Sequence, residues 1–261
     1  MGRPGKPPGG LGKPLGALHK FRQRARLTAL ALLALACTAS RLEAAGSAFA
    51  VDTAEVGEPG NCKLESWVSW ADNRDFIASL APACVVNLGR PVDISAQISR
   101  SRTVADWTTT VSPKLKTNIV PTAIGRIGFA FSATATVDTI SREATQYMLT
   151  VPATLRLSDH VRINLNAGWL HDRALNENFF TYGAGIDWRV RGPWIVTGEV
   201  FGQTGRFAEF GSIVKPRWQA GLRFRPVDEL SFDLIYGRNI TGENANWLTL
   251  AATLRFAPGT R

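Results

Sequence analysis

The chain has 261 residues, 45% hydrophobic and 20% charged, with 24 Gly, 14 Pro and a formal charge of +9. That hydrophobicity argues against wholesale disorder, and no window holds the ~18–20 consecutive apolar residues of a membrane-spanning helix. Eight of the 30 basic residues and one of the 21 acidic residues fall in residues 1–50, so residues 51–261 carry only +2 and lack the basic footprint of a nucleic-acid binder.

Residues 1–26 are basic and rich in Gly and Pro, residues 27–37 (LTALALLALAC) are apolar, and small residues follow as far as Ala48-Phe49-Ala50. A positive region, a short apolar region and an A-x-A site predict a secretory signal peptide over 1–50, cut after Ala50. The alternative is lipidation of Cys37, which follows Ala34-Leu35-Ala36. Residues 51–61 read as a short periplasmic lead, and Cys62 and Cys84 are the two cysteines that remain after cleavage.

From residue 62 the hydrophobic pattern has period two. Phe180, Tyr182, Ala184, Ile186, Trp188 and Val190 alternate with Thr181, Gly183, Gly185, Asp187 and Arg189. Alternation places the two sets on opposite faces of one strand. The same pattern recurs and predicts twelve strands, near 62–71, 76–88, 92–100, 107–120, 124–137, 146–157, 161–170, 179–190, 194–203, 213–225, 230–238 and 247–256. Tight turns at 89–91, 121–123, 158–160, 191–193 and 226–229 alternate with longer polar loops near 72–75, 101–106, 138–145, 171–178, 204–212 and 239–246. Pro82, Pro113, Pro152 and Pro216 fall inside these strands and each removes a ladder donor. They predict bulges, shorter strands, or a count of ten. A hairpin centred on Asn73 sets Cys62 opposite Cys84, where opposed Cα atoms lie within disulfide range.

Such alternation suits a soluble barrel or, inverted, a membrane barrel with its apolar face toward lipid. The polar face decides for the second. It carries Lys63, Lys114, Lys116, Arg126, Arg156, Arg162, Arg189, Arg217, Arg223, Arg225 and Arg255, with Glu65, Asp93, Asp187, Glu199 and Asp233, among many Gly, Ser and Thr. Small residues are poor choices for a solvated sheet face and suit a crowded or water-filled lumen. Trp70, Trp107, Trp169 and Trp247 beside long loops, and Trp188 and Trp194 beside a short turn, predict two interfacial aromatic belts. Trp218, near the middle of its proposed strand, is the exception.

The chain resembles a bacterial, Gram-negative outer-membrane β-barrel. The resemblance rests on the signal peptide, the even strand count, the alternating loops and the final strand Trp247-Leu-Thr-Leu-Ala-Ala-Thr-Leu-Arg-Phe256, which ends in an aromatic before a tail at 257–261. It implies an all-β, antiparallel up-and-down transmembrane barrel over 62–256. It also implies export to the outer membrane, contact with lipid and lipopolysaccharide, and recognition of the last strand by the barrel-assembly machinery.

Function is less legible. Eleven basic against five acidic inward residues predict a cationic lumen and a narrow porin-like channel that favours small anionic solutes. The alternatives are a non-conducting structural or surface-interaction barrel working through loops such as 171–178 and 204–212, and, less favoured, a lipid- or lipopolysaccharide-modifying enzyme. The last would need a nucleophile–base pair. His171, beside Asp172, is the candidate base, but no motif joins it to a hydroxyl. His160 sits in a tight turn, no metal-ligand spacing is present and no cofactor motif survives: Gly183-Ala-Gly185 lacks a third Gly and a following helix.

Overall fold

The computed structural model describes residues 2, 48–103, 106–205, 216–238, 240 and 244–258. Apart from residue 2, the expected signal peptide before residue 48, with Cys37, lies outside the described residues, as do loop residues 206–212 and the end of the tail.

Twelve strands form: β1 Cys62–Ala71, β2 Phe76–Asn87, β3 Pro91–Thr103, β4 Asp106–Val120, β5 Ile127–Asp138, β6 Ala144–Arg156, β7 Val161–Asp172, β8 Glu177–Arg191, β9 Trp194–Thr204, β10 Arg217–Val227, β11 Leu230–Arg238 and β12 Asn246–Phe256. Each pairs antiparallel with its chain neighbours, and β1 pairs with β12, which closes the barrel. Closure removes the unpaired edges of an open sheet. Both ends of the barrel and the short turns share one rim, because Cys62 lies opposite both Cys84 and Phe256. Gly89 (φ 82°) and Gly192 (φ 53°) supply the left-handed backbone that two of these turns need.

The apolar residues face outward. Phe180, Ile186 and Leu250 are 53%, 47% and 46% exposed, while their polar neighbours Asp187, Thr249 and Thr253 are buried. The expected orientation therefore holds along the wall.

The proline expectation is corrected. Pro216 precedes β10, and the other three lie inside their strands. The β2–β3 ladder skips from Leu80↔Ile98 to Ala83↔Ser95, and the β5–β6 ladder from Phe129↔Ala153 to Ser132↔Thr150. The β4–β5 ladder skips from Val111↔Val137 to Lys114↔Thr134. Register is unchanged across every gap. Each proline drops pairing on one side only and keeps a partner on the other: Pro82↔Leu64, Pro113↔Ala96 and Pro152↔Asn166. A missing N–H thus interrupts one ladder without inserting a residue.

The disulfide Cys62–Cys84 forms between directly opposed residues, Cα–Cα 4.1 Å. Its position in β1, one residue before inward Lys63 and two before outward Leu64, puts it on the outer face at the short-turn rim.

Candidate functional site

Alternation along the strands turns Lys63, Lys114, Lys116, Arg156, Arg162, Arg189, Arg217, Arg223, Arg225 and Arg255 inward, with Glu65, Asp93, Asp187, Glu199 and Asp233. Arg126 departs from its expected place. β5 begins one residue later, at Ile127, and Arg126 is exposed in the preceding turn, bridged to Ala123. The wall cations do not stand alone. Arg223 grips Asp233 with two bonds, 2.6 and 3.2 Å. Lys63 pairs with Glu65 at 3.1 Å. Arg156 and Arg225 reach the turn carboxylates Asp159 (3.4 Å) and Asp228 (3.3 Å).

The lumen holds a segment that sequence reasoning placed outside it. Residues 51–61 do not form a lead below the barrel. Only their last part lies at the short-turn rim, where Gly60 N donates to Val85 O at 2.8 Å. Residues 49–55 cross the interior, and Phe49, Val51, Thr53 and Ala54 are buried. Moving back along the chain, the contacts step around the wall. Glu55 meets Arg162 Nη1 at 2.5 Å and Arg156 Nε at 3.9 Å. Ala54 N donates to Thr154 Oγ1 at 2.8 Å, and Asn118 Nδ2 donates to Ala54 O. Asp52 takes Lys114 Nζ at 2.6 Å and Lys116 Nζ at 2.7 Å. Asn166 brackets the Asp52 backbone, with its amide set so that Nδ2 donates to the carbonyl (2.8 Å) and Oδ1 accepts from the N–H (2.7 Å). Ala50 N donates to Glu199 Oε2 at 2.9 Å. The Phe49 ring lies 5.3 Å beneath the Arg223 guanidinium.

Small wall residues make this crossing possible. A Cβ on Gly183 would lie 3.0 Å from Val51 Cγ2, and one on Gly221 would lie 2.8 Å from Phe49 Cζ. The wall and the segment share a hydrogen-bond network. Asp187 accepts from Arg162 Nε (2.7 Å), Asn164 Nδ2 (2.9 Å) and Thr197 Oγ1 (2.6 Å). Thr154, which receives the Ala54 amide, donates to Asn164 Oδ1 at 2.9 Å.

The segment also changes the charge balance. Asp52 and Glu55 add two acids set against Lys114, Lys116, Arg162 and Arg156, and Asp172 and Glu177 also fall on the inward parity of β7 and β8. Burial would raise the Asp52 carboxyl, but Lys114 and Lys116 outweigh it and hold it well below the usual carboxylate range. Burial wins at Glu55 and pushes it up despite Arg162 and Arg156. Beside the segment a cavity of about 440 Å³ remains, lined by Lys63, Glu65, Asp93, Lys114, Lys116 and Arg217 among both polar and apolar residues.

The aromatic expectation needs one exchange. Trp70, Trp107, Trp169, Trp188 and Trp194 are exposed on the outer face. Trp247 is 0% exposed and faces the lumen, because it alternates with outward Leu248. Trp218 takes its place on the long-loop side. β10 starts at Arg217, so Trp218 is at a strand end, with its ring 5.8 Å from Tyr236. His171 belongs to the end of β7 rather than a loop; it lies 6.0 Å from the Trp169 ring and contacts Asn178 Oδ1 at 3.1 Å, not a hydroxyl. Among the described residues no cluster of His, Cys, Asp and Glu fits a metal ion.

A closed twelve-strand antiparallel barrel with an apolar exterior and a charged, hydrogen-bonded interior defines the class of up-and-down β-barrels with an outward apolar face. The chain belongs to the family described as "Uncharacterised conserved protein UCP029691", whose profile matches residues 31–256. No curated protein matches it. Among solved structures it is similar in fold to the KdgM porin, with a TM-score of 0.59, 8% identity, and coverage of 74% of this chain and 99% of that one. A complex of that porin with disordered oligogalacturonate gives a TM-score of 0.58 at 8% identity, covering 74% and 99%. The NanC porin gives 0.58 at 8% identity, covering 73% and 98%. The COG4313 outer-membrane channel from Pseudomonas putida F1 gives 0.50 at 10% identity, covering 77% and 97%.

Proposed function

We propose that the protein is a narrow channel of the bacterial outer membrane, constricted by its own residues 51–55 and passing small anionic solutes. The carrying observation is the cavity of about 440 Å³ left between the segment and the wall, where Lys63, Lys114, Lys116 and Arg217 outnumber Asp52, Glu65 and Asp93. Cationic side chains on a pore wall attract anions and repel cations. The fold likeness to the KdgM porin, one structure of which holds oligogalacturonate, supports acidic sugars as a solute class. In this reading the exposed leucines, phenylalanines and tryptophans contact lipid and lipopolysaccharide. The strand ending at Phe256 is what the assembly machinery recognises.

A second reading has its own observation. The segment is bonded to β4, β6 and β7, which is how a filled, non-conducting structural barrel would be built. Planar-bilayer recordings separate the two. The channel predicts discrete steps in wild type with an anion-biased reversal potential, and larger steps for Asp52→Asn, which removes the carboxylate that holds the segment to Lys114 and Lys116. Silence in both proteins, with folding shown by heat-shifted gel mobility, selects the structural barrel.

A further inference from the structure

Glu199 is an anomaly in the lumen. It is 5% exposed, and among the described residues no Lys or Arg forms a salt bridge with it. Its partners are neutral donors: Gln219 Nε2 at 2.7 Å and Ala50 N at 2.9 Å, with the Val51 amide a second backbone donor near it. A buried carboxylate without a countercharge is costly, and buried charges are normally paired. Of the two amides that approach it, the Val51 nitrogen belongs to the Ala50–Val51 peptide bond, the bond that follows the A-x-A site, and the Ala50 nitrogen to the bond before it. Downstream of that bond the chain is fixed at once, by Asp52 on Lys114 and Lys116.

We infer that Glu199 is the receptor for the new amino terminus: cleavage after Ala50 leaves the Val51 α-ammonium seated on the Glu199 carboxylate. The inference rests on the export reading of residues 1–50 and not on whether the barrel conducts. Hydrolysis by a signal peptidase consumes one water, breaks the Ala50–Val51 peptide bond, and leaves a carboxylate on Ala50 and an ammonium on Val51. The three N–H groups of that ammonium replace the donors lost with Ala50 and add the missing positive charge. A charge-assisted bond is about twice as strong as a neutral one. Processing thus converts a weak contact into an anchor for residues 51–55. It also removes the Phe49 ring from beneath Arg223 and from above Gly221, which widens the lumen there.

The test uses the exported, full-length-expressed protein purified in detergent. Intact mass and N-terminal sequencing should show Val51 first; any other first residue overturns the assignment. The amine is then acetylated with a succinimidyl ester at neutral pH in folded and heat-unfolded protein. Only the free base reacts, so an ion pair that raises the amine pKa by one unit slows labelling about tenfold. Equal rates in the folded and unfolded wild type overturn the inference without recourse to any variant. Glu199→Gln keeps the shape and removes the charge. It should label several-fold faster than wild type while folded; protection as strong as in wild type would mean burial alone shields the amine and would sink the ion pair.

Discussion

Arg162 shows most directly how single residues hold the interior together. It is almost completely buried and joins two acids, Asp187 on the wall and Glu55 on the crossing segment. Removing one member of a buried charge cluster leaves the others uncompensated, at about 3–5 kcal/mol. Arg162→Ala should therefore lower the temperature at which gel mobility shifts to the unfolded position far more than Arg126→Ala, whose side chain is exposed in a turn. Equal shifts for the two variants would contradict the network. Residue facing was legible where alternation was followed strictly. Trp247 lies between residues whose parity is fixed by Leu248 and Leu250, so the signal for its inward position was present. Grouping aromatics by nearness to strand ends overrode it. The pairing of Asp52 with Lys114 and Lys116 had no such signal, because more than sixty residues separate the partners.

The strands were readable because one side chain in two is apolar and faces outward, which writes period two into every one of them. Their ends were less so. The start near 213 moved to Arg217, and the start near 124 moved to Ile127, since ladder pairing rather than composition sets the limit. The crossing segment was invisible for a different reason: residues 49–55 follow no strand period, and their small, acidic character reads equally well as a lead. Their titration has a definite sign. The lowered pKa of Asp52 means its contribution, full above the ordinary carboxylate value near 4, is lost only as pH falls through the lower folded value. The raised pKa of Glu55 means that its protonation favours the seated state, with the cost appearing as pH rises through the raised value. Acidifying from neutral to about pH 5, still above that ordinary value, should then leave conductance at its constricted level. A stepwise rise in single-channel current over that interval would show that the segment leaves when Glu55 is neutralised.

For the whole molecule the inverted barrel has a solution consequence. Outward Phe180, Ile186, Leu222, Leu234 and Leu250 belong to a band of exposed apolar side chains carried by all twelve strands, far beyond the scattered apolar exposure of a soluble surface. The folded chain should be monodisperse in detergent or lipid nanodiscs and should precipitate when these are withdrawn. Sedimentation of a single soluble species in plain buffer would reverse the assignment of inside and outside.

The bond between Cys62 and Cys84 sits on the strand that receives the last one, since Cys62 also faces Phe256. A two-residue slip keeps every side chain on its proper face, so facing alone does not forbid it at the seam. The cross-link does forbid it between the first two strands. The opening hairpin therefore reaches ring closure already indexed, and the terminal strand has a fixed template on which to zip.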